Sequence, residues 1–380
     1  MNFLKKFYVL IFISLLGNSC AQTNDDQSVS ETELKINDTI VLMDFFRENK
    51  KLDSIVDAEF ETMNAKSRVA QLIMPATGRL GKPKEMILQH IQDTVIGGIL
   101  MLNGTTTEFT NWIIEFDSIN KSYGGLPFLY SADAEPSLVN RKIAGTKTVK
   151  KANELDSIQE VHDVALSISN DLNAIGINYN FSPVVDMSPN KTVGFRSFGK
   201  NPKNIIPWSS AFIKTTQSKN IIATAKHFPG HGLVTGDTHK SLQMIDGELK
   251  EIKNYPDLIA DSVLSVMVAH IAVKNNEKYN TQGLPSTCSE KIVTDLLKNE
   301  LGFKGLIVTD AMNMGGVVSV KNSNVKAINA GCDILLMPLD AKKAHQQILT
   351  EYHKNELFRK RVDESAKKIV RMKVSLGLIK

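Results

Sequence analysis

The chain has 380 residues, of which 42% are hydrophobic and 23% are charged, and its formal net charge is +4 at pH 7. This composition is typical of a globular protein, and the length suits one large α/β barrel or two ordinary domains. The small net charge argues against a nucleic-acid partner. Cysteines are too few for a disulfide framework, and Cys288 and Cys332 are best interpreted as small buried hydrophobic residues.

The first 20 residues have the pattern of an export signal. Lys5 and Lys6 precede an apolar run over residues 7–16, and small residues then lead to Cys20. The run is too short to span a bilayer comfortably. Its ending, LLGNSC, resembles a bacterial lipoprotein leader, in which Cys20 becomes the lipidated first residue. We therefore predict export to the periplasm or cell surface, with contact to a membrane only through the lipid anchor; simple secretion and an apolar N-terminal helix are the alternatives.

A polar stretch follows the predicted leader. Residues 21–52 show no sustained period and no proline or glycine punctuation, so they are predicted to form a flexible, disordered tether. The pattern changes at about residue 53, where apolar runs and amphipathic stretches begin to alternate. We therefore expect a single folded domain over residues 53–380.

Eight short apolar runs punctuate this domain. They are continuous rather than alternating in polarity, which is typical of parallel strands that are covered by other elements. Eight βα units in about 300 residues indicate an α/β fold, a single (β/α)8 TIM-type barrel, more than an open doubly wound sheet. The predicted strands cover residues 69–76, 94–102, 126–133, 177–186, 221–228, 263–273, 305–312 and 332–338.

Two further sequence patterns reduce the number of possible functions. Neither GxGxxG nor GxxxxGK[ST] follows a predicted strand, which argues against nucleotide binding. The final stretch, residues 357–378, is basic and amphipathic. We interpret it as the closing helix of the barrel rather than as a membrane-surface element.

Polar or ionisable residues stand at the ends of several predicted strands. One such residue alone is usually a helix cap or a loop anchor. Because a barrel brings the C-terminal ends of its strands to one face, a group of them predicts a polar pocket at that face. The residues concerned are Asp133, Asp186, Lys226, His227, His270 and Asp310.

The densest group of ionisable residues lies in the segment IIATAKHFPGHGLVTGDTHKSL, residues 221–242. Its apolar start predicts a buried strand, and its glycines and proline predict the loop that follows. An imidazole can donate a proton and recover one near neutral pH, and a neighbouring carboxylate stabilises its cationic form. The Asp-x-His pair of Asp237 and His239 therefore suits proton transfer, whereas the alternative is a pair of solvated turn residues.

The motif KHFPGHG, the GDTH after it and GFKGLIVTDAMNM further on resemble motifs of the β-N-acetylglucosaminidases of glycoside hydrolase family 3. The resemblance extends from about residue 65 to the VDESAKKIVRMKVSLGL ending and implies that the domain is a glycoside hydrolase barrel. Asp310 matches the family's catalytic nucleophile, which implies a retaining mechanism through a covalent glycosyl-enzyme. His239 matches the acid/base residue of this branch, and Asp237 matches the carboxylate that supports it.

The resemblance also implies contacts to the hydroxyl groups of the terminal sugar. A carboxylate and planar guanidinium groups suit vicinal hydroxyls that are held bidentately. His270 also matches a family position, but a histidine in an apolar run is better interpreted as a hydrogen-bonded core residue. The implied sugar contacts are Asp133, Arg141, Arg196, Lys226 and His227.

The chain departs from the family pattern after the third predicted strand. Members of this branch commonly carry Asp-x-Glu-Gly-Gly there, whereas this chain has DAEPSLVNR, with Pro136 and Ser137 in place of the two glycines. A proline and a side chain restrict the backbone where it passes the sugar. Because Asp133 and Arg141 keep their separation, we expect the monosaccharide site to persist, while the aglycone preference stays open.

These observations predict a retaining exo-β-N-acetylglucosaminidase that releases terminal N-acetylglucosamine from β-linked glycans and needs no cofactor or metal. Peptidoglycan fragments are the first substrate class and chito-oligosaccharides the second. Three alternatives are a β-glucosidase of the same family, a glycoside phosphorylase of that family and a non-catalytic glycan-binding lipoprotein. The phosphorylase stays open because a histidine donor does not repel an incoming phosphate anion, and the sequence leaves the oligomeric state open.

A metal-dependent barrel hydrolase is the fourth alternative. It would use His227, His231, His239 and Asp237 as ligands. The first two histidines have a spacing that suits ligands on a helix, but Pro229 lies between them and argues against a helix there. His231 is therefore better interpreted as a residue that holds the loop.

Overall fold

The computed structural model describes residues 39–187, 190, 193–199 and 201–380. The predicted leader with Cys20 and the predicted tether up to residue 38 lie outside the described residues. The folded unit runs from Ile40 to Lys380. None of its described helices is both long and apolar enough to cross a membrane.

Each of the eight predicted runs contains a strand of a parallel sheet. Their apolar residues are buried on both faces: every residue of the seven-residue strand after position 221 is buried, for example. The described residues contain strands β1 Ile73–Met74, β2 Ala76–Thr77, β3 Gly98–Met101, β4 Gly104–Thr105, β5 Leu129–Ala132, β6 Ile143–Ala144, β7 Tyr179–Asn180, β8 Ile222–Phe228, β9 Gln243–Asp246, β10 Ser265–Val268, β11 Ile271–Lys274, β12 Leu306–Thr309 and β13 Leu335–Leu336.

Seven of these strands form one curled, all-parallel sheet in the order β12-β10-β8-β7-β5-β3-β2, and β1 pairs with β13. Backbone hydrogen bonds join this pair to both edges of the sheet. The N–H of Gly97, before β3, donates to the carbonyl of Ile73 (3.1 Å), and the N–H of Thr309 donates to the carbonyl of Ile334 (3.0 Å). The result is a TIM-like (β/α) barrel, with β4–β6 and β9–β11 as small parallel pairs beside it.

Helices alternate with the barrel strands. Local capping fixes several helix starts. At the start of α4, for example, the hydroxyl oxygen of Thr105 accepts a hydrogen bond from the N–H of Glu108, and the carboxylate of Glu108 accepts one from the N–H of Thr105. The α-helices are α1 Lys50–Thr62, α2 Ala65–Gln71, α3 Lys84–Gln92, α4 Thr106–Ser122, α5 Val139–Lys142, α6 Ile158–Ile175, α7 Pro202–Ser218, α8 Pro256–Ala260, α9 Ser323–Ala330, α10 Ala341–Lys354 and α11 Glu356–Ser375, and a π-helix spans Lys291–Glu300.

The last helix, α11, confirms the interpretation of the basic C-terminal stretch as a packed helix. It buries an apolar face, which includes Phe358 and Ile369, in the main core. Beside this face Arg361 and Lys368 form ion pairs with the buried carboxylate of Asp333 at 2.6 and 2.9 Å. The free thiols of Cys288 and Cys332 are buried, as predicted.

The predicted end of the tether at residue 52 is wrong. A 3-10 helix spans Leu42–Phe46, α1 begins at Lys50, and Leu52 is fully buried. The guanidinium of Arg371 in α11 donates to the carbonyl of Phe45 (2.8 Å), which fixes this segment to the barrel. The segment was misjudged because its apolar residues form one short turn, which is too brief to show a helical period.

Candidate active site

A cavity of about 550 Å³ lies at the C-terminal ends of the barrel strands. Its size is in the range of small-molecule sites. Asp237 is absent from its lining but contacts a residue that lines it. The predicted site residues that line the cavity are Asp133, Arg141, Arg196, Lys226, His227, His239 and Asp310.

Five charged side chains from β8 and from the segments after β5 and β7 form a network, and we call these residues the charged network: Asp133, Glu135, Lys142, Arg196 and Lys226. The ammonium of Lys226 lies 2.9 Å from Asp133 Oδ1 and 2.6 Å from Glu135 Oε1. Arg196 donates to Glu135 with Nε (2.8 Å) and Nη2 (2.7 Å), which makes a bidentate pair. Lys142 Nζ donates to Asp133 Oδ2 (2.7 Å). Carboxylates and cations therefore alternate through the network.

Asp133, Glu135 and Lys226 of the charged network are ionised at neutral pH despite their burial. Burial favours neutral carboxyl groups, but Lys142 and Lys226 hold the pKa of Asp133 well below its usual range. Burial likewise opposes ionisation of Glu135, yet Arg196 and Lys226 lower its pKa to about 2. Burial would lower the pKa of Lys226, but Asp133 and Glu135 raise it. The charges stabilise one another and present fixed hydrogen-bonding groups to a ligand.

Sequence reasoning missed two members of the charged network, Glu135 and Lys142. Glu135 lies two residues after Asp133, and a period of two places side chains on the same side of an extended chain; this spacing could have identified it. Arg141 was predicted instead of Lys142. Arg141 lines the cavity but is exposed, and among the described residues no carboxylate forms an ion pair with it. The short helix α5 turns the two neighbours in different directions, so spacing alone could not choose between them.

The Pro136-Ser137 departure has a structural role in this chain. The hydroxyl of Ser137 donates to the carbonyl of Phe195 (2.6 Å) and accepts from the N–H of Ala152 (2.9 Å). Phe195 precedes Arg196, so the hydroxyl joins the loop after β5 to the segment that supplies the bidentate arginine. A glycine at this position would form neither hydrogen bond.

A second buried arrangement orients His227. The carboxylate of Asp186 accepts from the backbone N–H of His227 (3.1 Å to each oxygen) and from that of His231 (2.8 Å), and it lies 2.6 Å from His227 Nδ1. Burial opposes ionisation of Asp186, but His227 lowers its pKa. An ionised carboxylate only accepts, so Nδ1 of His227 carries a hydrogen and Nε2 is the other ring nitrogen available to a ligand.

The loop that contains KHFPGHG rests on Glu251, which sequence reasoning also missed. Glu251 is buried, and its carboxyl oxygens accept from the N–H groups of Met187 (2.5 Å) and Leu233 (3.2 Å). Burial and the nearby charge of Asp186 raise its pKa to about 8. Gly230 has φ +134°, and a Cβ there would lie 2.5 Å from the Cβ of Glu251. This packing requires glycine at position 230.

Asp310 follows β12 directly and lines the same cavity as the predicted sugar contacts. Its Oδ1 accepts from the N–H of Ala311 (2.8 Å), and among the described residues no other partner is present for the carboxylate. Burial favours the neutral acid, but His227 and His270 lower the pKa of Asp310. The carboxylate is therefore ionised at neutral pH, as a nucleophile must be.

His270 confirms the prediction of a hydrogen-bonded core histidine. It is fully buried, its Nδ1 lies 2.8 Å from Thr287 Oγ1 and its Nε2 lies 3.0 Å from the carbonyl oxygen of Ala311. A carbonyl only accepts, so Nε2 carries the hydrogen and Nδ1 accepts from the threonine hydroxyl. Burial lowers the pKa of His270, although the charge of Asp310 opposes this shift.

Asp237 and His239 form the hydrogen-bonded pair that the spacing predicted. His239 Nδ1 lies 2.8 Å from Asp237 Oδ1, which also accepts from the backbone N–H of His239 (3.0 Å). Burial raises the pKa of Asp237, but the hydrogen bonds from His239 outweigh this effect and lower it. The ionised carboxylate fixes the hydrogen on Nδ1 and leaves Nε2 for proton exchange. The side chain of His239 is 60% exposed.

The loop with His239 is attached to the segment that follows Asp310. The N–H groups of Gly315 and Gly316 donate to the carbonyls of His239 (3.0 Å) and Thr238 (3.0 Å). A Cβ at Gly315 would lie 2.2 Å from the carbonyl oxygen of Lys240, so only glycine permits this approach. The acid/base candidate and the nucleophile candidate are thus positioned by one shared set of backbone contacts.

The residues that the metal hypothesis names as ligands make hydrogen bonds to protein groups. Within the described ranges, no group of three or more His, Cys, Asp or Glu side chains is arranged to hold a metal ion. His231 is buried, and burial with the neighbouring His227 lowers its pKa to about 4. Its backbone N–H binds Asp186, in agreement with the interpretation that His231 holds the loop.

The family model described as "Glycosyl hydrolase family 3 N terminal domain" matches residues 64–372. This match covers most of the chain. The protein therefore belongs to glycoside hydrolase family 3, as the motifs predicted.

Similar proteins carry related names. The β-hexosaminidase A of Pseudoalteromonas piscicida is 34% identical over 242 residues, which cover 56% of this chain and 40% of that protein. The β-N-acetylglucosaminidase/β-glucosidase of Cellulomonas fimi is 28% identical over 278 residues, with coverages of 66% and 49%. The solved family 3 β-N-acetylglucosaminidase of a Paenibacillus species is 26% identical with a TM-score of 0.76, and the match covers 83% of this chain and 63% of that one. The chain thus spans about half the length of these two curated relatives.

Proposed function

We propose that the protein is a retaining exo-β-N-acetylglucosaminidase, which releases terminal N-acetylglucosamine from β-linked glycans. The observation that carries this proposal is that Asp310, held ionised, and His239, whose Nδ1 is bonded to Asp237, line one cavity. Membership of family 3 and relatives named β-hexosaminidase support it.

In the first step Asp310 attacks the anomeric carbon of the terminal sugar. A bond forms between a carboxylate oxygen and that carbon, the bond from the carbon to the leaving oxygen breaks, and Nε2 of protonated His239 gives its proton to the leaving oxygen. In the second step water attacks the same carbon, neutral His239 takes a proton from the water, and the ester to Asp310 breaks. Two displacements at one carbon retain its configuration.

The charged network and His227 would hold the terminal sugar during both steps. Asp133 can accept hydrogen bonds from sugar hydroxyls, while Arg196 and Lys226 can donate to hydroxyl oxygens. Because these groups already bind one another at 2.6–2.9 Å, they are in place before the sugar enters. Arg141 lines the exposed part of the same cavity and would contact the sugar from there.

Peptidoglycan fragments are the first proposed substrate class and chito-oligosaccharides the second. A β-glucosidase is the second candidate function, because the name of the Cellulomonas fimi relative includes both activities. Phosphorolysis replaces water by phosphate in the second step and is tested together with hydrolysis below.

Export and a lipid anchor at Cys20 are proposed from the leader pattern alone. The Cys20→Ser variant should move from the membrane fraction to the soluble fraction of cells while its activity per molecule stays unchanged. Equal distribution of the variant and the natural chain between the two fractions would exclude the anchor.

The activity is tested with a pair of aryl glycosides, the β-N-acetylglucosaminide and the β-glucoside, in buffers with and without phosphate and with a metal chelator. We expect release of the aryl group from the N-acetyl sugar only, at a rate that neither phosphate nor chelator changes. Release from the glucoside alone would establish the β-glucosidase, and a phosphate-dependent rate would establish the phosphorylase. A rate that falls with chelator and returns with zinc would support the metal hypothesis.

Replacement of Asp310 distinguishes the hypothesis of an enzyme from that of a protein that only binds glycans. The Asp310→Asn variant keeps the size of the side chain and removes its charge, so we expect turnover to fall by about 10³-fold or more. The matched change at exposed Asp163 should leave the rate unchanged. Glycan binding without any turnover in the natural chain would support the non-catalytic alternative.

A further inference from the structure

A second cavity, of about 430 Å³, adjoins the catalytic cavity on the side of the charged network, and we call it the side cavity. The two cavities share Leu138, Arg141 and Phe195 in their linings. Pro136 and Ser137, the two residues by which this chain departs from the family pattern, also line the side cavity. Its volume is in the range of small-molecule sites.

The order of strands round the barrel shows which end of the sugar the side cavity faces. Its lining comes from the segments after β5, β6 and β7, whereas Asp310 follows β12. β5 and β12 lie on opposite sides of the barrel, with β7, β8 and β10 between them in one direction and β3, the β1–β2 segment and β13 in the other. Neither Asp310 nor His239 is among the described residues that line the side cavity. A sugar with its anomeric carbon at Asp310 therefore directs its opposite, non-reducing end toward the side cavity.

Hydrogen bonds within the protein fix the walls of the side cavity. Asn140 Oδ1 accepts from the N–H of Val149 (3.1 Å), and Asn140 Nδ2 donates to the carbonyl of Lys147 (2.8 Å). On the other side, the hydroxyl of Ser137 donates to the carbonyl of Phe195. Because these bonds hold the walls in place before a ligand binds, little conformational entropy is lost on binding.

The charges in the lining of the side cavity are positive. Among the described lining residues, Arg141 and Lys151 are charged, and no carboxylate of a described residue forms an ion pair with Arg141. Lys151 pairs with Glu154 (3.2 Å), but both side chains are half exposed, so this ion pair is weak. Thr148 adds a hydroxyl that bonds to no other described residue. The lining therefore suits an anionic group with several acceptor oxygens.

The chemistry of the sugar indicates which substituent can reach the side cavity. At the end away from the anomeric carbon, N-acetylglucosamine carries ring hydroxyls on C3 and C4 and a third hydroxyl on the exocyclic C6. The ring hydroxyls are vicinal, so they suit the bidentate contacts that the charged network offers. The C6 hydroxyl stands on a rotatable arm, which can direct a substituent out of the catalytic cavity and into the side cavity.

We propose that the side cavity binds an anionic ester, a sulfate or a phosphate, on the C6 oxygen of the terminal N-acetylglucosamine. The proposal rests on the proposed function, because it places the anomeric carbon of this sugar at Asp310. Arg141 and Lys151 bind the ester oxygens, and the side chains of Leu138 and Phe195, which line both cavities, cover the C6 methylene group.

The test uses four aryl β-N-acetylglucosaminides that differ only at C6, where they carry a free hydroxyl, a methyl ether, a sulfate or a phosphate. The methyl ether controls for the size of the substituent. We expect kcat/KM for the sulfate or the phosphate to exceed that for the methyl ether by about tenfold, in keeping with two exposed ion pairs. Added salt should reduce this preference. The ester with the higher kcat/KM identifies the group that the cavity takes.

Variants at the edge of the side cavity then assign the preference. Lys151→Gln should reduce it to about threefold and leave kcat/KM for the free hydroxyl and the methyl ether unchanged. Glu154→Gln should increase the preference, because it removes the protein partner of Lys151. Lys150→Gln is the matched control, since it removes the neighbouring charge at a lysine that pairs with Glu160 and lines neither cavity.

Three results would overturn the proposal: no preference for either ester in the natural chain, a preference that Lys151→Gln leaves unchanged, or an equal loss on all four substrates in Lys151→Gln. In the natural chain, each of these results leaves hydrolysis of the glycoside with the free hydroxyl intact. Failure to hydrolyse any of the four substrates would instead contradict the proposed function itself.

Discussion

The two charged parts of the site have similar hydrogen-bond distances but opposite exposure. In the charged network, Glu135 and Lys226 lie 2.6 Å apart with side chains that are 0% and 1% exposed. In the catalytic pair, Asp237 and His239 lie 2.8 Å apart with side chains that are 36% and 60% exposed. Water screens the second pair and hardly reaches the first.

Because of this difference in exposure, we assign stability and sugar binding to the charged network and proton transfer to the catalytic pair. A buried ion whose partner is removed remains in a medium of low polarity, which is strongly destabilising, whereas an exposed pair contributes little to stability. We therefore expect substitutions in the charged network to affect folding and sugar affinity. Substitutions in the catalytic pair should affect proton transfer and leave folding unchanged.

The largest effect is expected for His239→Ala. Loss of a general acid should slow substrates with sugar leaving groups by about 10²- to 10⁴-fold, because these leaving groups need a proton. Aryl glycosides with acidic phenols should lose far less, and the midpoint of thermal unfolding should stay unchanged. Rates on both substrate types and the unfolding midpoint measure this, with His353→Ala on the exposed surface of α10 as the control. Equal losses on both substrate types would exclude His239 as the proton donor.

Glu135→Gln tests the buried part of the comparison. The change keeps the shape but removes the carboxylate that pairs with Arg196 and one of the two that pair with Lys226, so the free energy of unfolding should fall by about 3–5 kcal/mol. Denaturant unfolding measures this loss. Glu154→Gln removes an exposed ion pair with Lys151 and should leave the free energy of unfolding nearly unchanged. Equal effects of the two changes would contradict the role given to burial.

Ser137→Ala is expected to have a smaller effect, of about 1 kcal/mol, because it removes two hydrogen bonds at the edge of the charged network. The loss should appear mainly as a higher KM, since the hydroxyl positions the segment before Arg196 and does not touch the reacting atoms. Ser137→Thr keeps the hydroxyl and should restore most of the affinity. A drop in kcat with no change in KM would contradict this positioning role.

The last prediction concerns the pH dependence of stability at Lys373, a buried lysine that has no carboxylate neighbour as close as those of Lys226. Lys373 is fully buried, where it donates to Gln71 Oε1 (2.6 Å) and to the carbonyl of Gly97 (3.0 Å), and burial lowers its pKa to about 7. Between about pH 7 and 10.5 the unfolded chain therefore binds more protons than the folded chain. Stability should rise with pH across this window from this group alone. In Lys373→Met, denaturant unfolding at several pH values should show this rise reduced; an unchanged pH dependence would contradict the lowered pKa.

The sequence predicted the barrel because continuous apolar runs of strand length are a strong signal for covered parallel strands. It was less accurate at element ends. The first predicted strand, residues 69–76, includes the end of α2, since an apolar run does not distinguish a buried helix turn from a strand. The run over residues 263–273 is divided into β10 and β11 with His270 between them, and no residue type in the run marks this break.

The site was predictable where a side chain lies at or directly after the C-terminal end of a strand, as for Lys226 near the end of β8 and for Asp133 and Asp310 after β5 and β12. It was not predictable where the position depends on the path of a loop. Lys142 reaches Asp133 only because of the single turn of α5. Glu251 supports the catalytic loop from a separate turn, and no period or spacing in the sequence connects it to that loop.

The central claim is that Asp310 forms a covalent bond with the sugar. It is tested most directly by incubating the protein with a 5-fluoro-β-N-acetylglucosaminyl fluoride, which slows breakdown of the glycosyl-enzyme, and by mapping the labelled peptide with mass spectrometry. The account predicts one sugar per chain, attached to the peptide that contains Asp310, and no label in the Asp310→Asn variant. A label on another carboxylate, or consumption of the reagent without any covalent adduct, would contradict it.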